Sequence, residues 1–164
     1  MRKGTSIASI LHGADQERGL RPGTENVALI VALGAAARLA QEALPGLTDT
    51  LLQRRDRLHR LLADAIPSLQ LNGHPDHRLP NTLHLSFPGV SGRALLQEAA
   101  GVAASLGSAC HSASDAVSGV LAAMQVDAAH AAGSVRLSVG RATSEDEVAH
   151  AAAALVQAWR QLAA

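Results

Sequence analysis

The stretch NTLHLSF, residues 81 to 87, alternates apolar and polar side chains with a strict period of two. The stretch SVRLSV, residues 134 to 139, alternates in the same way and carries Arg136 among its polar positions. Because successive side chains of a strand point to opposite faces, both stretches predict strands with one face on a hydrophobic core. The other face of the predicted sheet carries the charge of Arg136, which needs a partner.

Two helices are predicted ahead of the first strand. Thr24 can cap the first one, whose apolar pattern continues to about residue 44, where Pro45 and Gly46 break it. The second begins near Thr48, has leucines on one face and arginines largely on the other, and ends at Pro67. Residues 1 to 23, with four glycines and a proline, are predicted to be irregular.

The rest of the chain is predicted to hold short elements and one long helix. The short ones are a helix at 91–100, a strand at 102–106 and a helix at 117–124, and the long helix opens at Ser144, with Glu147 at capping-box spacing, and runs to Ala164. Strands embedded among helices without βαβ alternation predict an α+β fold, with a small, mostly antiparallel sheet and helices on one face. We expect an irregular segment at 1–23 and one α+β domain at 24–164.

Composition excludes several classes of partner. The 164 residues include 14 basic and 14 acidic side chains, so no net charge draws the chain to nucleic acid or to an anionic membrane. The longest apolar stretch, 27–37, stops at Arg38, short of the ~20 residues that a membrane span needs. One cysteine cannot form an internal disulfide, which agrees with the cytoplasm. The eight dispersed histidines show no zinc-ligand pattern, and no metal is expected.

Cys110, the only cysteine, has two interpretations. Unpaired cysteines are among the residues most often buried, which favours a structural role. Its neighbours in GSACHSAS, residues 107 to 114, are glycine, alanine and serine, which offer little apolar surface to hold a segment in a core. A thiol near solvent, beside His111, is suited to nucleophilic chemistry if the histidine favours the thiolate. The residues alone leave both interpretations open.

Two further residues are candidates for anion recognition, each with a structural alternative. Arg136 can bind a carboxylate through its guanidinium fork, or it can pair with an acidic neighbour on the surface. Thr24, preceded by Gly23, can place a hydroxyl and free backbone N–H groups near a phosphate, or it can be an ordinary helix cap.

Four blocks, in this order, resemble the C-terminal portion of cysteine desulfurases, which belong to the pyridoxal phosphate (PLP)-dependent class V aminotransferase group. They are QERGLRPGTENV (16–27), LPNTLHLSF (79–87), ASLGSACHS (104–112) and SVRLSVGRAT (134–143). The resemblance covers nearly the whole chain, and four separate blocks make it far more specific than any single one. It implies the small C-terminal domain of a fold-type I PLP enzyme.

The resemblance also implies the role of each candidate residue. Cys110 matches the nucleophile that takes sulfur from PLP-bound L-cysteine, leaving L-alanine and a persulfide, with His111 tuning the thiol. Arg136 matches the arginine that holds the substrate carboxylate, and Thr24 matches the threonine that reaches the cofactor phosphate of the partner subunit in a homodimer. The sulfur passes to an acceptor such as an iron–sulfur scaffold or a thiolation protein.

One requirement of the family is not met by these residues. PLP forms its resting bond with a lysine amine, and the only lysine, Lys3, corresponds to the RKGT stretch that follows the catalytic lysine in relatives. We therefore expect the chain alone to be inactive. Two alternatives stay open: a selenocysteine lyase domain, since ACHS also occurs in those enzymes, and a non-enzymatic dimerising or sulfur-carrier module.

Overall fold

The computed structural model describes residue 2 and residues 4–106 and 118–164, and its contacts separate two compact units, 1–45 and 46–164. The strands are β1 (Gln70–Leu71), β2 (Thr82–Ser86) and β3 (Ser134–Ser138). The helices are a 3-10 turn (Gln16–Gly19), α1 (Val27–Ala65), α2 (Gly92–Glu98), α3 (Gly119–Ala123), α4 (Ala128–Ala132) and α5 (Glu145–Ala163). The sequence-based division of the chain after residue 23 stays a prediction.

The three strands form an antiparallel sheet in the order β1-β2-β3. In the register between β2 and β3, Leu85 lies opposite Val135, and His84 lies opposite Arg136. Both members of the first pair are fully buried, whereas Arg136 is exposed and His84 is half-buried. The two predicted strands and their division into an apolar and a polar face are therefore confirmed.

Helices cover the apolar face of the sheet, as the predicted α+β fold requires. Residues from the second half of α1, from α2 and from α5 join the buried strand residues in one hydrophobic cluster. The largest fully buried side chain is Phe87, just after β2. Helix α5 begins with the predicted capping box, in which Ser144 Oγ accepts from Glu147 N and the Glu147 carboxylate accepts from Ser144 N.

Helix α1 continues through Pro45, so the predicted break there is wrong. Proline has no N–H to donate to the carbonyl oxygen of residue 41, and an interior proline usually ends or kinks a helix. Most residues from 41 to 46 are exposed, so water can reach the freed carbonyl group. In the next turn, Thr50 Oγ1 donates a hydrogen bond to Gly46 O at 3.1 Å.

The start of α1 also differs from the prediction. The helix begins at Val27, and Asn26 rather than Thr24 occupies the capping position: Asn26 Oδ1 accepts from Leu29 N at 3.1 Å. Asparagine is at least as good a helix cap as threonine, so Asn26, which directly precedes the helix, can cap it in place of Thr24. The predicted strand at 102–106 is reduced to a single bridge, between Ser105 and Arg136.

The unit 1–45 differs from the sheet unit in burial. None of its described residues is buried, and large apolar side chains from Val27 to Leu44 are exposed. Helix α1 is long and apolar enough to cross a membrane, a test that core helices of water-soluble proteins and signal sequences also pass. This helix is longer than the apolar stretch 27–37, on which the predicted absence of a membrane span was based, and that absence stays a prediction.

Candidate functional site

Arg136 occupies the middle of β3 on the polar face of the sheet. Its backbone is bonded in both directions to Ser105: Arg136 N donates to Ser105 O at 2.7 Å, and Ser105 N donates to Arg136 O at 3.2 Å. The guanidinium Nη2 also donates to Ser105 Oγ at 3.4 Å. The side chain is therefore exposed to a ligand while its backbone is fixed between β2 and the segment that carries Ser105.

His84 lies directly across from Arg136 on β2. Burial lowers the pKa of the His84 imidazole below its ordinary value, and the nearby positive charge of Arg136 lowers that pKa further. The ring is therefore neutral at pH 7. His84 lies in the stretch NTLHLSF, residues 81 to 87, but the sequence pattern alone indicates no functional role for it. The available indication was its spacing of two residues from Thr82 and from Ser86, which places the three side chains on one face of the strand.

The backbone and neighbours of His84 are held by hydrogen bonds to β1 and the turn after it. Asn72 N donates to His84 O at 2.8 Å, and Asn72 Nδ2 donates to Ser86 Oγ at 2.8 Å. Ser86 is buried and pairs across the sheet with Ser134. Within the described part of the chain, the polar side chains named here beside His84 and Arg136 are thus neutral hydroxyl and amide groups.

Cys110 and His111 lie outside the described residues, so their predicted roles stay predictions. The described chain stops at Leu106, one residue after Ser105, and resumes at Ser118. The bridge between Ser105 and Arg136 is the described contact nearest in sequence to the cysteine segment. Ser105, which precedes the cysteine segment in the sequence, is therefore held against β3, the strand that carries Arg136.

Thr24 lies in the unit 1–45 and is exposed. It is not used as the helix cap, which leaves its hydroxyl outside the α1 hydrogen bonds. The preceding Gly23 has a φ of 100°, a left-handed conformation that favours glycine, and its N–H donates to Gln16 Oε1 at 3.0 Å. The Gly23 carbonyl oxygen accepts from Arg21 Nη1 at 3.0 Å. The predicted contact of Thr24 with a phosphate stays a prediction.

The described residues contain no group of three or more histidine, cysteine, aspartate or glutamate side chains arranged to hold a metal ion. The ring centroids of His74 and His77 are 4.4 Å apart. His74 Nδ1 accepts from the backbone N–H groups of Asp76 and His77, so this nitrogen stabilises the loop. The expectation that the protein binds no metal remains a prediction.

With this geometry in place, comparison with known proteins identifies the family. The model of the family "Aminotransferase class-V" matches residues 1–150. The chain belongs to the class V aminotransferase family. The predicted resemblance to cysteine desulfurases is confirmed as well: the chain is 44% identical over 158 residues to a cysteine desulfurase of Klebsiella pneumoniae. It is 45% identical over 150 residues to the cysteine desulfurase IscS of Methanosarcina thermophila.

Solved structures give the same relationship. A NifS-like protein superposes with a TM-score of 0.81 and 31% identity, over 96% of this chain and 40% of that one. DndA from Streptomyces lividans superposes with a TM-score of 0.58 and 36% identity, over 80% of this chain and 36% of that one. The two sequence relatives are matched over 94% and 90% of this chain but only 39% and 37% of their own length. The chain thus spans about two fifths of the relatives it matches.

Proposed function

We propose that this chain is the sulfur-accepting part of a cysteine desulfurase, which moves sulfur from L-cysteine to an enzyme cysteine and releases L-alanine. The position of Arg136 carries the proposal. Its guanidinium is exposed on the polar face of the sheet, and its backbone is bonded to Ser105, five residues before Cys110. Five fully extended residues span at most about 18 Å. The only thiol in the sequence is therefore joined by a short stretch of chain to Ser105, which is hydrogen-bonded to Arg136.

Each residue has a defined task in this proposal. Arg136 binds the carboxylate of L-cysteine through parallel N–H bonds, which fixes the orientation of the amino acid. The Cys110 thiolate attacks the substrate sulfur, so that an S–S bond forms as the substrate C–S bond breaks. The electron pair of the C–S bond stays with carbon, which takes up a proton and becomes the methyl group of L-alanine. His111 favours the thiolate form of Cys110.

The cofactor of the proposed enzyme is PLP, which supplies the electron sink for chemistry at the amino acid carbon. The described residues do not fit a PLP site by themselves. The only lysine, Lys3, lies outside them, and the two aromatic side chains are engaged elsewhere: Phe87 is fully buried, and Trp159 Nε1 donates to Pro88 O at 2.9 Å. We therefore derive no step from the cofactor, and we propose that residues other than the described ones hold its ring.

We propose that Thr24 contacts the phosphate of PLP bound by the partner subunit of a homodimer. Two observations support this role: the Thr24 side chain is exposed, and the helix that follows is capped by Asn26 instead. The Thr24 hydroxyl is therefore available to a ligand. The left-handed backbone at Gly23 gives the chain a sharp turn just before it.

The sulfur acceptor is proposed to be an iron–sulfur scaffold or a thiolation protein, and the location is proposed to be the cytoplasm. The support for the acceptor is the likeness to proteins named NifS and IscS cysteine desulfurases. Neither nucleic acid nor a membrane is a proposed partner, since 14 basic and 14 acidic residues leave the chain without net charge.

The first test loads sulfur onto the chain itself. We expect a low-molecular-weight persulfide, such as glutathione persulfide, to add one sulfur atom to the peptide that contains Cys110, detected by mass spectrometry. The variant Cys110→Ser is the matched control and is expected to gain none. A cysteine that stays unmodified in the folded chain contradicts the proposal. With PLP and L-cysteine but no donor, the same chain is expected to release no alanine above background.

The second test restores a complete enzyme by placing this chain in the matching part of the Klebsiella pneumoniae cysteine desulfurase. We expect alanine release from L-cysteine, abolished by Cys110→Ser. Arg136→Gln is expected to weaken substrate binding by roughly 10- to 100-fold, since a hydrogen-bonded charge is lost. A chimera that folds and binds PLP but releases no alanine contradicts the proposal. A chimera that releases alanine from L-selenocysteine but not from L-cysteine would assign the chain to selenocysteine lyases instead.

A further inference from the structure

We propose that His84 is a positioning residue for the carboxylate that Arg136 binds: a carboxylate bound to Arg136 draws a proton onto the His84 imidazole and is then held between two cations. The inference rests on the proposed function, because it assumes that Arg136 binds a carboxylate. The inference adds His84 to that site as a second group that recognises the carboxylate, and it predicts that His84 takes up a proton when the carboxylate binds.

The geometry of the sheet brings the two side chains together. His84 and Arg136 are directly opposed in the β2–β3 register, where side chains on one face have Cβ atoms about 4.5–5.5 Å apart. Arg136 is exposed and His84 is half-buried, so His84 is the less accessible to solvent of the two. A carboxylate that bonds Arg136 from solvent therefore comes within reach of His84.

The surroundings make His84 sensitive to the charge at Arg136. The neighbouring cross-strand pairs on this face, Thr82 with Ser138 and Ser86 with Ser134, are neutral, and so are Asn72 of the adjacent turn and Ser105 of the bridging segment. Among the described residues, Arg136 is the only charged group that shifts the pKa of His84, and it lowers that pKa in addition to the effect of burial. A carboxylate at Arg136 offsets this positive charge and raises the pKa of His84 again.

Coupling of this kind is reciprocal. If a bound carboxylate favours the protonated imidazole, then the protonated imidazole favours the bound carboxylate to the same extent. The affinity for a carboxylate is therefore expected to rise as pH falls through the pKa of His84. A neutral side chain at position 84 would hold the same backbone but would not give this pH dependence.

The test uses the 164-residue chain and acetate as the carboxylate probe, with chloride at equal ionic strength as the reference. The pKa of His84 is followed by NMR through its ring resonances, which are assigned by their loss in His84→Asn. We expect Arg136→Gln to raise the pKa of His84 in chloride, whereas Arg160→Gln, an exposed arginine on α5, leaves it unchanged. We expect acetate to raise the pKa of His84 in the parent chain and not in Arg136→Gln.

A second readout measures binding at the guanidinium. Titration of acetate against the Arg136 side-chain NMR signal is expected to show roughly fivefold or greater tightening between pH 8 and pH 5.5, the lower end of typical couplings. His84→Asn, checked for folding by Trp159 fluorescence, is expected to bind acetate with no such pH dependence. An acetate affinity that depends on pH equally in His84→Asn overturns the proposal, as does a His84 pKa that acetate leaves unchanged.

These outcomes are separate from those for the proposed function. A chain that accepts sulfur on Cys110 but shows no coupling between acetate and His84 contradicts the role of His84 alone. A chain in which acetate shifts His84 while Cys110 stays inert contradicts the sulfur-accepting function and leaves the carboxylate site intact.

Discussion

The two units of the chain use apolar residues in different ways. In the unit 46–164, helix α1 buries a single stripe, Leu51, Arg55, Leu58 and Leu62, spaced by four or three residues. In the unit 1–45, the large apolar residues of the same helix are spread around its circumference and are exposed, as at Leu29, Leu33 and Leu39. The difference shows that apolar composition does not make a core. A core needs apolar residues that recur with the helical period, so that they share one face of the helix, and a sheet that this face can pack against.

The largest expected effect comes from cutting a buried side chain in the sheet unit. Leu85 is fully buried in β2, so Leu85→Ala is expected to lower the free energy of unfolding by about 2–5 kcal/mol. The matched variant Leu33→Ala, at a side chain that is 71% exposed, is expected to change it by less than about 0.5 kcal/mol. Denaturant unfolding followed by the fluorescence of Trp159, the only tryptophan, measures both. Equal losses from the two variants would contradict the contrast between the units.

Two glycines sharpen the same contrast. A Cβ at Gly133 would lie 2.1 Å from Phe87 O and 2.9 Å from Val90 O, both backbone atoms that cannot easily move away. Gly133→Ala is therefore expected to destabilise the sheet unit by about 1–3 kcal/mol or more. A Cβ at Gly34 meets nothing within 4 Å, and alanine is the better helix former, so Gly34→Ala is expected to stabilise its helix by up to about 1 kcal/mol.

Urea unfolding measures the first glycine variant, and the helical signal in far-ultraviolet circular dichroism measures the second. A Gly133→Ala chain as stable as the parent would mean that the backbone of residues 87 to 90 does not approach Gly133 as closely as described. A loss of helix in Gly34→Ala would mean that another part of the protein packs against Gly34.

Local patterns in the sequence were sufficient to predict the strands β2 and β3, but not the two-residue strand β1. The period of two in β2 and β3 gives the strands, the faces and the exposed position of Arg136, and the spacing of Ser144 and Glu147 gives the start of α5. These features depend on neighbouring residues only. The path of the helix through Pro45 depends on whether water can reach a freed carbonyl group, which the local pattern does not record.

The candidate site was predicted in part for a related reason. Arg136 follows from its place in an alternating strand, but the partner of that strand and its register do not. His84 becomes a candidate only once β2 and β3 are paired so that it lies opposite Arg136. The choice of Asn26 over Thr24 as the cap of α1 has the same origin: both residues suit the role, and the backbone decides between them.

The smallest expected effects concern the helix caps, one in each unit. Ser144→Ala removes the acceptor for Glu147 N and is expected to lower the free energy of unfolding of the sheet unit by about 1 kcal/mol. Asn26→Ala removes the acceptor for Leu29 N and is expected to reduce the helical signal while leaving the Trp159 unfolding transition in place. A shift of that transition by Asn26→Ala as large as that by Ser144→Ala would show that both caps stabilise the same core.

The Ser144 cap also predicts how stability depends on pH. Hydrogen bonds from the Ser144 backbone and side chain lower the pKa of Glu147 in the folded chain. A carboxyl group whose pKa is lower when folded stabilises fully above its unfolded pKa, near 4.3, and loses this contribution as pH falls through the lower folded value. Glu147→Gln, which cannot ionise, is expected to flatten the loss of stability in acid, whereas Glu98→Gln, at an exposed position ending α2, is expected to keep the parent profile. Urea midpoints measured from pH 6 down to pH 3 distinguish the two variants. Identical acid profiles for Glu147→Gln and the parent would show that the capping box does not cause the loss of stability in acid.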